Sequence, residues 1–127
     1  MSDALPSGAY FATHYQDRRR GVETRRVYYD DGRVEAFDGR EWWRVCTFSP
    51  EQVRQAKDAL RTSGLREADD LSADGVYDTA ALTYRWSVDG TQGSATNYAY
   101  PARKHPAFEQ VDERLDALVE SAAKPES

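Results

Sequence analysis

Apolar and polar residues alternate along the first third of the chain, and beyond Phe48 the apolar positions switch to helical spacing. A two-residue period puts every second side chain on one face of a strand, whereas a recurrence every three to four residues draws a stripe along a helix. Residues 8–17 and 22–30, rich in Tyr, Phe, Thr and Val, predict two strands joined by the polar loop Arg18-Arg19-Arg20-Gly21. Asp31-Gly32 and Asp38-Gly39 are both two-residue hairpin signals. They predict a short strand over 33–37 between tight turns, and residues 40–48, with Trp42, Trp43, Val45 and Phe48, complete a four-stranded meander.

The switch to helix is marked by three start devices on six residues. Ser49 is an N-cap, Pro50 sits at the first helical position and Gln52 at the third can return the capping-box bond, while Phe48 and Val53 hold the positions of a hydrophobic staple. Val53, Ala56 and Leu60 form the buried stripe, and Gly64 ends the helix, with Leu65 placed to touch Leu60 in a Schellman motif. After an acidic loop from Glu67 to Gly75, residues 77–88 alternate again, Asp89-Gly90 turns the chain, and a strand follows near 91–100. A second helix starts at Pro106, with Phe108, Val111, Leu115, Leu118, Val119 and Ala122 on one stripe. The order ββββ-α-ββ-α predicts an α+β fold: a mainly antiparallel sheet with two helices packed on one face. Residues 1–123 are expected to form a single domain, and 124–127 a frayed tail.

Counting outward from two-residue turns pairs Tyr29 with Val34 and Tyr28 with Glu35, then Val34 with Trp43 and Glu35 with Trp42. One face then carries Tyr10, Ala12, Val27, Tyr29, Val34, Ala36, Trp43 and Val45, the more uniformly apolar set and the expected floor under the helices. The other carries Phe11, Thr13, Arg26, Tyr28, Glu35, Phe37, Trp42, Arg44 and Cys46. The second set is too aromatic for a merely wetted face, so either part of the chain folds over it in a barrel-like closure, or a partner covers it, or Tyr28 and Trp42 pack on the Arg26 and Arg44 stems or on chain termini. Tyr, Trp and Arg are the types enriched at binding hot spots, so Arg26, Tyr28, Phe37, Trp42 and Arg44 form the candidate protein-binding face.

Composition narrows the function classes. The chain has four Phe, eight Tyr and three Trp, too aromatic for a disordered polymer, and no segment of about 20 apolar residues or signal-peptide pattern, so a membrane partner is not expected. With Cys46 as the only cysteine no internal disulfide can form, which suits a reducing compartment, and the cytoplasm is the expected location. The net charge of −5 sits in the second half: residues 1–48 carry eight Arg against eight acids, and the remainder nine bases against fourteen acids. Arg18-Arg19-Arg20, Arg25, Arg26 and Arg44 with Tyr28 and Trp42 could track single-stranded nucleic acid. A pI near 5.0 lacks the basic footprint that dominates such affinity, so nucleic acid is not the expected partner.

Candidate chemistry is sparse. Asp70-Leu71-Ser72-Ala73-Asp74-Gly75-Val76-Tyr77-Asp78 copies the first nine positions of a calcium loop, but position twelve is Ala81 instead of a bidentate Glu and a strand follows. His14 and His105 lack a paired ligand at short spacing, no glycine-rich phosphate loop occurs, and Cys46 reads as a small core residue. The expectation is no metal, no cofactor and no catalytic group.

The Asp31-Gly32 hairpin, the Ser49-Pro50-Glu51-Gln52 helix start, the Gly64-Leu65 stop, the Asp89-Gly90 hairpin and the terminal helix of Pro106, Phe108, Val111, Leu115 and Leu118 together cover about three-quarters of the chain. In this layout the chain resembles small bacterial α+β proteins related to emfourin-type metalloprotease inhibitors and to a group of uncharacterised lipoprotein domains. The resemblance implies a protein-binding role and carries over no inhibitory residue. The expected function is therefore a non-enzymatic protein-binding module of inhibitor, immunity or regulatory type. The alternative is a small-ligand binder or enzyme with a Tyr- and Trp-lined pocket between sheet and helices and His14 nearby.

Overall fold

A computed structural model describes residues 5–17, 19–63, 70, 80–100 and 106–124. Six strands and two helices follow in the order the hydrophobic pattern predicts: β1 (Ala9–Asp17), β2 (Val22–Tyr29), β3 (Arg33–Phe37), β4 (Trp42–Thr47), α1 (Pro50–Thr62), β5 (Ala80–Val88), β6 (Thr91–Tyr100) and α2 (Pro106–Ser121). The strands make one antiparallel sheet in spatial order β4-β3-β2-β1-β5-β6. The chain steps outward from β1 to β4, and after α1 adds β5 and β6 on the other side of β1, so β2 and β1 are the central pair. The α+β architecture read from the sequence is the architecture observed.

Helix α1 starts as its sequence dictates. Ser49 Oγ accepts from the Gln52 amide at 3.2 Å, and Gln52 Oε1 accepts from the Ser49 amide at 2.9 Å, so two amides that the helix leaves unpaired are satisfied reciprocally. Phe48 and Val53 are both buried, and Val53, Ala56, Ala59 and Leu60 face inward. In α2, Phe108, Val111 and Leu115 are buried, whereas Leu118, expected to be buried too, is only half-buried at the rim of the core. Both helices pack on one side of the sheet. The Phe108 ring stacks on Tyr84 with centroids 3.7 Å apart, and Arg61 of α1 reaches Asp89 in the β5–β6 turn at 2.6 Å. The Gly64-Leu65 stop, most of the acidic loop, the start of the 77–88 strand, His105 and residues 125–127 lie outside the described residues.

The expected register fails at both turns of the meander: across Asp38-Gly39, Phe37 pairs with Trp42 and Ala36 with Trp43 in place of Glu35 with Trp42 and Val34 with Trp43, a two-residue shift that keeps the faces, whereas the shift at Asp31-Gly32 turns over two strands. Tyr28 pairs with Val34 and Val27 with Glu35, one residue off the two-residue-turn count. The β2–β3 connection is a three-residue loop instead: the Gly32 amide donates to the Tyr29 carbonyl at 3.0 Å, and Gly32 itself takes the left-handed position at φ +98°. A Cβ there would lie 2.2 Å from the Phe48 carbonyl oxygen, so the turn demands glycine twice over. Because Tyr28 also pairs with Phe11, β1 and β2 turn over together, and Phe11, Thr13, Arg26 and Tyr28 face the helices while Ala12 and Val27 face away. Tyr10 is nonetheless buried, since it is the extra residue of a bulge between Ala9 and Phe11. A second bulge at Val45 brings Cys46 opposite Val34 and into the core, reversing its expected side.

Candidate functional site

The helix-free side of the sheet carries two rows of side chains in register across all six strands. One row runs Trp42, Phe37, Arg25, His14, Thr83, Thr96 from β4 to β6. The next runs Arg44, Glu35, Val27, Ala12, Arg85, Ser94. Of the five residues expected on one binding face, Phe37, Trp42 and Arg44 are here. Arg26 and Tyr28 are not: the three-residue loop turns them to the helix side, where Tyr28 is 3% exposed and Arg26 Nη1 lies 3.7 Å from Asp116 of α2. Trp43 points to the helix side as expected but lies beyond the helices at the sheet edge, as exposed as Trp42 at 47%.

The aromatic corner is a platform. The Phe37 and Trp42 rings lie 5.2 Å apart at a shallow tilt, with Arg44 exposed beside them. Toward the centre the face becomes polar and charged. His14 Nε2 lies 3.2 Å from Glu23 Oε1 without hydrogen-bond alignment, and Arg25 donates to the same oxygen at 3.2 Å. Burial lowers the His14 pKa, Arg25 lowers it further and Glu23 opposes them, so the imidazole is held neutral. Thr83 and Thr96 share a hydroxyl hydrogen bond at 2.9 Å at the far end of the row.

The N-terminal segment folds over part of this face. A turn closed by the Ala9 amide on the Pro6 carbonyl at 3.0 Å sends Leu5 back across the sheet. Leu5 and Pro6 then roof a crevice of 70 Å³ walled by Ala12, His14, Val27, Trp42 and Arg85. That volume is far below the roughly 300–1,000 Å³ of small-molecule sites. A wider recess of 630 Å³ lies beyond it, between Leu5–Ala9 and the β5–β6 hairpin, and opens broadly to solvent.

On the helix side, a cleft of 230 Å³ between α2 and the β5–β6 hairpin is lined by Tyr84, Asn97, Tyr100 and four carboxylates, those of Glu109, Asp112, Glu113 and Asp116. Tyr84 donates to Asp112 Oδ2 at 2.8 Å. Burial, reinforced by Asp116 and opposed by the Tyr84 bond and Arg26, pushes the Asp112 pKa up to about 6. Sequence reasoning passed over this pair, although its signal was present: Asp112 lies four residues after Phe108 and three before Leu115, a carboxylate inside the apolar stripe. His14 is not near this cleft but on the opposite face of the sheet.

Of the calcium-like loop only Asp70 is described, and its Oδ1 accepts from the Thr96 amide of β6 at 2.7 Å. Among the described residues no group of three or more His, Cys, Asp or Glu side chains could hold a metal ion, and no helix is long and apolar enough to cross a membrane. Cys46 is a free, buried thiol whose pKa is raised by burial. No protein-family model matches the chain, and no curated protein matches it significantly.

Proposed function

We propose that the chain is a non-enzymatic protein-binding module, of inhibitor, immunity or regulatory type, whose contact surface is the helix-free sheet face around Phe37, Trp42 and Arg44. One observation carries the reading: the largest exposed aromatic of that face, Trp42, is seated against Phe37 at 5.2 Å with an exposed guanidinium beside it. A seated indole loses few rotamers on binding and a neighbouring Arg adds directional donors, which is the composition of an interface anchor. The relief of the face also favours a macromolecular partner over a small ligand: the crevice under Leu5 and Pro6 holds 70 Å³, and the 630 Å³ recess beside it opens broadly to solvent. The layout resemblance to emfourin-type inhibitors points the same way. The module is proposed to work in the cytoplasm, where its single thiol needs no disulfide partner.

The test is differential capture from native lysate. Immobilised wild-type chain, a Trp42→Ala/Arg44→Ala variant and an Asp112→Asn control are compared, each shown to be folded. A partner retained by wild type and control and lost by the face variant supports the reading. Partners retained equally by the face variant overturn it.

The second reading, a small-ligand binder or enzyme, rests on the Tyr84–Asp112 pair and its elevated carboxyl pKa in the α2 cleft. It is the weaker of the two, since the cleft is small, walled by four carboxylates and without a histidine. Loss of a bound cationic small molecule in Asp112→Asn, with the face variant unaffected, would favour it.

A further inference from the structure

The two edges of the sheet are finished differently. On β6 the outward amide of Thr96 is occupied by the Asp70 carboxylate. On β4 the outward amide of Thr47 donates to the Ala123 carbonyl at 2.9 Å, an isolated antiparallel bridge that covers the C-terminal end of the strand. Among the described residues nothing pairs with the outer edge of β4 over Trp42–Arg44. Ladder alternation says which groups face out there. The Asp38 amide donates to the Glu41 carbonyl across the turn, so Glu41 and Trp43 direct their backbone polar groups to β3, and Trp42 and Arg44 direct theirs outward. The indoles straddle this edge, Trp42 on the helix-free side and Trp43 on the helix side, each 47% exposed. An aromatic edge left unpaired among the described residues is a template for strand addition.

We infer that β4 pairs antiparallel with β4 of a second copy across a two-fold axis at Trp43. A two-fold axis perpendicular to the sheet keeps the faces, so only registers in which paired residue numbers sum to an even value fit the pleat. Placing Trp42 against Trp42 sets Arg40 opposite Arg44, and placing Arg44 on the axis sets it against its own copy. Both juxtapose like charges directly, which is destabilising. The register centred on Trp43 sets Trp42 opposite Arg44 of the second copy, twice, on the helix-free side, and Trp43 against its copy on the other. Each Trp42–Arg44 pair then exchanges two backbone hydrogen bonds and places a guanidinium over an indole. This register also uses only the regular part of the strand, because the bulge at Val45 ends regular pairing just beyond Arg44.

The area sets the strength. With each indole about half exposed, four of them contribute on the order of 400 Å² of the roughly 1,200–2,000 Å² that stable complexes bury. The dimer is therefore weak, with dissociation in the micromolar range. It joins two helix-free faces into one surface with both Phe37–Trp42 platforms near its middle, and it stands whether or not that face has a partner.

Sedimentation velocity over a concentration series tests the assignment on wild type, Trp43→Lys and Arg44→Pro, with circular dichroism melts as fold controls. Proline at 44 removes an amide that points away from β3, so the monomer's own ladder stays intact. Wild type should dimerise reversibly in the micromolar range, and both variants should dissociate at least tenfold more readily. A wild type that stays monomeric at millimolar concentration overturns the inference, as does a dimer that survives either folded variant. Register is read by oxidation. Trp43→Cys should cross-link to its copy, because residues facing across a non-hydrogen-bonded pair lie about 4.5 Å apart at Cα, within disulfide reach. Trp42→Cys should not, and cross-linking at 42 in preference to 43 overturns the register.

Discussion

Tyr84 of β5 donates its phenolic hydrogen to Asp112 of α2 at 2.8 Å, and this bond ties the second helix to the strand next to the β6 edge of the sheet. The carboxylate is held where ionising it is costly, with a pKa of about 6 against 3.8 for an unperturbed Asp. A folded-state pKa above the unfolded one means that the native state binds the proton more tightly, so this group lowers stability as pH rises from about 4 to 6, and the loss is complete above that window. Asp112→Asn, which keeps an acceptor for Tyr84, should stabilise the protein by about 1–2 kcal/mol at pH 7 and have little effect at pH 4. Urea denaturation at the two pH values checks the sign; an equal effect at both would show that the carboxylate is not strained by burial.

Removing the Ser49 cap should cost about 1 kcal/mol, because the Gln52 amide loses its acceptor and the reciprocal bond to the Ser49 backbone loosens with it. The measurement is the shift in denaturant midpoint for Ser49→Ala, with an unchanged slope.

Leu115 is 1% exposed, and truncating it to Ala should destabilise by about 2–5 kcal/mol, the transfer loss plus an unfilled cavity between α2 and the sheet. A shift of under 1 kcal/mol in the unfolding free energy would mean that the site collapses around the smaller side chain.

Gly32→Ala should destabilise by about 2 kcal/mol or more, since a side chain there is disfavoured by the positive φ and would strike the Phe48 carbonyl. A restored midpoint in Gly32→Asn would not be expected, because asparagine tolerates the left-handed conformation but still carries the Cβ.

Trp42→Ala and Trp43→Ala should lower stability by similar amounts, about 1–2 kcal/mol each, because both indoles are half-exposed at the same edge. Binding should separate them: truncating Trp42 should weaken a partner of the helix-free face by about 2 kcal/mol or more, close to thirtyfold. Parallel melts and affinity measurements on the two variants make the comparison.

The elements of this protein are legible in its sequence because each is specified locally. Alternation, the Ser49-Pro50-Gln52 start and the stripe of Phe108, Val111 and Leu115 act over a few residues, within reach of propensity and capping alone. Phe37, Trp42 and Arg44 fall on the helix-free face that the alternation predicts for the same reason: they share one short hairpin, and its observed pairing differs from a two-residue-turn count by two residues, which keeps the face. Arg26 and Tyr28 do not, because the side they occupy depends on the loop at Gly32. Asp-Gly serves a two-residue turn and a three-residue loop alike, and here the Phe48 amide, just past the end of β4, donates to the Gly32 carbonyl at 2.7 Å in the three-residue form. One residue of slip turned over β1 and β2 together. The Asp112–Tyr84 pair, 28 positions apart, and the neutral His14 beside Glu23 and Arg25 likewise exist only once strands and helix are packed. Local chemistry determined which segments become strand or helix; tertiary contacts decided which face each side chain joined, since a period of two leaves both faces equally available until a distant partner selects one.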